Sequence, residues 1–111
     1  MSTHRNPQAG PAIALAQLTQ ENPSLPGLMW TIHPDGYLSG TWHEDNVDVR
    51  PALAAYQRVM GGQVDERRYA RDETGEGRYS AVLVVTWRDV RFYLSTGCPA
   101  RLVAEVAQVA A

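Results

Sequence analysis

The stretch Leu28-Met29-Trp30-Thr31-Ile32-His33-Pro34-Asp35-Gly36-Tyr37-Leu38-Ser39-Gly40-Thr41-Trp42 decides the fold class. Two runs rich in β-branched, aromatic and aliphatic residues flank Pro34-Asp35-Gly36, where proline presets φ and glycine accepts a positive φ, so the chain reverses there. The reading is a β-hairpin. Setting Ile32 against Leu38 places Trp30 against Gly40 and Leu28 against Trp42, which gathers five large apolar side chains on one side of the ribbon. Met29, Thr31, His33, Tyr37, Ser39 and Thr41 fall on the other side. A slip of one residue would scatter both sets, because successive strand residues point to opposite faces.

Upstream, residues 1–10 are polar and aperiodic and read as a disordered tail. Pro11 suits a first helical turn, Ala12 to Glu21 are good helix formers, and Pro23-Ser24-Leu25-Pro26-Gly27 is a stiff connector. Downstream, Asp48 is placed to cap a second helix in which Val49, Leu53, Tyr56 and Met60 fall at helical spacing and Gly61-Gly62 ends the run. Gln63 to Arg71 reads as a charged strand, the kind that lies at a sheet edge, and residues 72–77 as an exposed loop. Arg78 to Trp87 and Val90 to Thr96 form a second hairpin around Arg88-Asp89, with Ala81, Leu83, Val85, Trp87, Val90, Phe92 and Leu94 on one inward face. Cys98 and Pro99 then stand at the N-cap and first position of a closing helix whose apolar stripe is Leu102, Val103, Val106 and Val109. The expected fold is two-layer α+β, in the order α-β-β-α-β-β-β-α. A mainly antiparallel sheet of about five strands carries helices mostly on one face, within a single domain spanning 11–111.

The composition suits that domain. A chain of 111 residues with 44% hydrophobic residues and a mean hydropathy of -0.32 is long enough to bury a core without metal or disulfide staples. Cys98 is the single cysteine, which excludes an intramolecular disulfide, and the first ten residues lack the apolar core of a signal peptide, so the cytoplasm is the expected compartment. All ten basic residues are arginine, a bias that fits a GC-rich, actinobacterial coding sequence. Ten bases against twelve acids supply no global field for nucleic acid or anionic lipid, and no membrane partner is expected.

Candidate chemistry is sparse. In the expected hairpin His33 and His43 lie too far apart to share a metal, and His43, Glu44, Asp45 and Asp48 match no ligand spacing. Cys98 at a helix N-terminus could be a thiolate nucleophile, which makes a small thiol-dependent enzyme one alternative. Gly75-Glu76-Gly77 leads into a strand among acids that repel phosphate. No catalytic constellation, cofactor site or metal site emerges. The non-random feature is a run of six arginines, Arg67, Arg68, Arg71, Arg78, Arg88 and Arg91, interleaved with Tyr69, Tyr79 and Tyr93. From it, Arg67, Tyr69, Tyr79, Arg91 and Tyr93 are expected to form an interaction surface, since Arg and Tyr are enriched where proteins bind one another. The leading expectation is a non-enzymatic, regulatory interaction module that binds a protein partner or itself as a homodimer. The alternative is single-stranded nucleic acid on the same surface.

The element order, with Leu25-Pro26-Gly27 before the first strand, Pro34-Asp35-Gly36 in the first hairpin and Gly61-Gly62 after the middle helix, resembles the roadblock/dynein light-chain domains. The resemblance spans about residues 11–110 and implies a regulatory subunit that dimerises and, in bacteria, often partners a Ras-like GTPase. No functional residue is carried over from it.

Overall fold

The computed structural model describes residues 6–69 and 77–103, of which Tyr69 is described in its backbone alone. Helix α1 spans Ala9–Glu21 and α2 spans Arg50–Met60. The strands are β1 (Met29–Ile32), β2 (Leu38–His43), β3 (Val64–Tyr69), β4 (Arg78–Trp87) and β5 (Val90–Pro99). A third helical segment begins at residues 101–103. The sheet runs β1-β2-β5-β4-β3, antiparallel throughout except where β2 and β5 pair in parallel. The α+β class and the five-stranded, mostly antiparallel sheet are as expected, and so is the position of the charged strand β3 at an edge.

Both hairpins keep their expected registers. Ile32 pairs with Leu38 and Trp30 with Gly40; Trp87 pairs with Val90. Gly36 turns the first hairpin at φ 96°, while the second turns on Arg88 and Asp89 at φ 51° and 66°, a left-handed pair without glycine. The Arg88 side chain anchors that turn to α1. Its guanidinium lies 4.2 Å from the centre of the Trp87 ring and donates to Glu21 and Gln17 of α1.

The helices cover one face. Ala14 and Leu18 of α1, Leu53, Tyr56 and Met60 of α2, and Val103 share one core with Leu38, Ala81, Leu83, Phe92 and Leu94. Trp30 meets the rings of Tyr56 and Phe92 edge-on at 6.0 and 6.2 Å, so the first hairpin and α2 close over the middle of β5. The Tyr56 hydroxyl donates to the Pro26 carbonyl, tying α2 to the connector before β1. Among the described residues no helix is long and apolar enough to cross a membrane.

Three local expectations need correction. The first helix begins at Ala9, inside the stretch read as a tail, because the Asn6 side chain accepts the Gln8 N–H and turns the chain into it. The second begins at Arg50 rather than directly after Asp48, although the Asp48 carboxylate still accepts the Arg50 N–H at 3.0 Å. Cys98 and Pro99 do not open a helix. They continue β5, paired with Tyr79 and Arg78, because the long strand β4 offers them a ladder along its whole length. The expected tail at residues 1–5, the loop at 72–76 with Arg71, and the apolar positions Val106 and Val109 lie outside the described residues.

Candidate interaction surface

Alternation along the strands assigns each expected surface residue to a face. On β4, Tyr79 is in phase with Ala81 and Leu83, and all three are buried under the helices. Tyr79 therefore does not belong to the interaction surface. Its ring is 2% exposed and its hydroxyl donates to Glu66, and burial together with that carboxylate pushes its pKa well above the usual phenol value. Glu66 and Arg68 lie on the same helix-side rows of β3, opposite Ala81 and Tyr79.

Arg67, Arg91 and Tyr93 do lie on the other face, which carries no helix among the described residues. Arg67 stands opposite Ser80 on β3 and meets Asp65 at 3.4 Å, both side chains being largely exposed. Tyr69 occupies the register position opposite Arg78; its side chain is outside the described residues. Arg91 is exposed and donates from Nε to Thr86 Oγ1 at 3.2 Å. Tyr93 is 39% exposed.

The parallel β2–β5 pairing adds residues that the sequence left apart. Ser39 is opposite Tyr93, so the first hairpin's polar side joins the same open face. The Tyr37 ring meets Tyr93 edge-on at 5.3 Å and stacks flat against His33 at 4.0 Å. His33 Nε2 in turn lies 2.8 Å from Ser39 Oγ. The result is a contiguous group of His33, Tyr37, Tyr93 and Arg91 at one end of the open face. Thr31, Ser39 and Val84 share the row of Tyr93 across the sheet, and Met29, Thr41, Ser95 and Val82 form the next row on the same face, Met29 being 75% exposed. Alternation within the hairpin puts His33 and Tyr37 on its outer side, but no local signal joins them to Arg91 and Tyr93.

The alternative chemistries find no support in the geometry. Cys98 is fully buried within a strand, so the argument for a thiolate at a helix N-terminus is removed. The acids beside His43 are engaged separately: Glu44 accepts the Trp42 indole N–H at 2.9 Å, Asp45 pairs with Arg78 at 3.1 Å, and Asp48 pairs with Arg50 at 2.6 Å. The Arg50 hydrogen bonds hold the Asp48 carboxyl below its ordinary pKa. Among the described residues no three His, Cys, Asp or Glu side chains group to hold a metal ion.

Comparison with known proteins finds no matching family model, no matching curated protein and no matching solved structure. The open face must therefore be interpreted from its own residues.

Proposed function

We propose that this chain is a non-enzymatic protein-interaction or regulatory module of the cytoplasm that docks its partner on the open sheet face. One observation carries the reading: Tyr93 and Arg91 are exposed beside the Tyr37–His33 stack, on a face that the described helices leave uncovered. Rigid aromatic rings lose little conformational freedom on binding, and an Arg fork supplies directional hydrogen bonds, which is why these residue types dominate binding energy at interfaces. Met29 and Val84, exposed on the same face, add apolar contact area beside them.

Replacing Tyr93 with a photoreactive phenylalanine analogue tests this directly in the cells that make the protein, with Ile13 of α1, 59% exposed, as the control position. Position 93 is expected to form a protein adduct that position 13 does not, and Arg91→Glu is expected to abolish it without changing the thermal midpoint. No adduct at position 93 would overturn the reading. A nuclease-sensitive adduct would support the alternative of single-stranded nucleic acid. That alternative has Arg67 and Arg91 on the open face as its basic contacts, and it requires binding that weakens steeply with salt.

A further inference from the structure

Strand β3, Val64-Asp65-Glu66-Arg67-Arg68-Tyr69, ends the sheet, and among the described residues nothing pairs with its outer side. Four of its six residues are charged, and all four are exposed. Such an edge repels an arbitrary apolar strand, which would have to bury those charges against nothing. The order of the charges is another matter. Two acids are followed by two bases, so the strand read in one direction is complementary to the same strand read in the other.

We propose that β3 is a self-pairing edge, lying antiparallel to β3 of a second copy of this chain across a two-fold axis normal to the sheet. Such an axis leaves each copy's helix layer on the same side, so residues opposed across the junction must come from the same face. Asp65 and Arg67 share the open face, and Glu66 and Arg68 share the helix-covered one. With Glu66 on the axis, each Asp65 stands opposite Arg67 of the second copy. With Arg67 on the axis, each Glu66 stands opposite Arg68 of the second copy. In either register the like-charged pair on the axis has opposite charges at its diagonal neighbours, within reach of long side chains. Both symmetric pairings are therefore attractive. A foreign strand lacking this order leaves charges unmatched, which makes the edge selective for its own copy. Arg68 has no ion-pair partner among the described residues and is free to take this role. The opposite edge, β1, has four residues and no charge, and so carries no comparable code.

The inference gives the homodimer expected from the sequence a specific junction and does not depend on what the open face binds. Pairing would join two open faces into one surface, with Arg91 and Tyr93 away from the junction on β5. A six-residue edge buries less than the roughly 1,200 Å² of standard interfaces, so the dimer is weak and concentration-dependent.

Sedimentation velocity of the wild-type chain from about 5 to 500 µM, a range suited to such small interfaces, provides the test. It is paired with two variants whose strands carry one sign of charge: Asp65→Arg with Glu66→Arg, and Arg67→Glu with Arg68→Glu. The wild type is expected to dimerise. Each variant alone should dissociate at least tenfold more readily, and an equimolar mixture of the two should recover a heterodimer. A wild type that stays monomeric, or a dimer that both variants retain, would overturn the proposal. Should a variant misfold, amide exchange on the wild type decides: backbone protection at residues 64–69 that rises with concentration supports the junction, and protection independent of concentration rejects it. Loss of the open-face adduct with an intact dimer would sink the docking reading alone.

Discussion

Thr96 is fully buried on β5, and its hydroxyl has no hydrogen-bond partner among the described residues. A hydroxyl removed from water without a partner is destabilising, whereas a methyl of the same size is not. Thr96→Val is therefore expected to raise unfolding stability by about 1 kcal/mol, read as a higher urea midpoint with unchanged slope. A lower midpoint would mean that the hydroxyl is satisfied after all. Thr96 lies two residues beyond Leu94 on the inward face, so its burial was legible in the alternation; that nothing meets its hydroxyl was not. Tyr79 teaches the converse. Its proximity in the chain to several arginines suggested a shared surface, yet its phase with Ala81 and Leu83 already assigned it to the core. Alternation is the stronger signal, because strand geometry sends neighbouring side chains to opposite faces whatever their chemistry.

At the scale of elements, the first hairpin owes its tight packing to the pairing of a large residue with none. A Cβ at Gly40 would lie 2.8 Å from the Trp30 indole and 2.9 Å from Leu28, so the indole that contacts Tyr56 and Phe92 would have to shift. Gly40→Ala is expected to cost about 1–3 kcal/mol in thermal or urea unfolding, the usual range for overpacking. A neutral result would show that Trp30 repacks freely. The hairpin's register was readable because a turn tripeptide and an alternating pattern agreed. The second hairpin was readable in its strands but not in its turn, since Arg88-Asp89 is a poor left-handed pair by composition. Arg88 is held there by Trp87 and by Glu21, a residue of a distant helix that no local window contains. The end of β5 departs from its local signal for a related reason: Cys98-Pro99 has the chemistry of a helix start, and the ladder to Tyr79 and Arg78 overrides it.

For the whole molecule, Glu21, Asp48, Tyr56 and Tyr79 are described residues whose shifted pKa values make stability depend on pH. Arg88 and Arg50 hold the Glu21 and Asp48 carboxyls below their ordinary values of 4.5 and 3.8. Their contribution is complete above those values and is lost as pH falls through the lower folded ones. Burial raises Tyr56 from 10.0 to about 12 and raises Tyr79 as well, so stability from the neutral phenols is complete below 10.0 and is lost as pH rises through the folded values. The urea midpoint is thus expected to fall below about pH 4 as the Glu21 and Asp48 carboxyls protonate and above about pH 10 as the phenols ionise, and Tyr56→Phe should make the alkaline fall shallower. An alkaline limb identical in that variant would remove Tyr56 as a cause. By itself the sequence determined the two hairpins, their registers, their inward faces and the charged edge, because turn chemistry and alternation act over a few residues. Only the tertiary structure decided that β2 lies parallel to β5, since adjacency between strands distant in the chain leaves no local mark and follows from burying both hairpins under the same helices. That one pairing brings Tyr37 and His33 beside Tyr93 and Arg91, and with it the surface on which the proposed function rests.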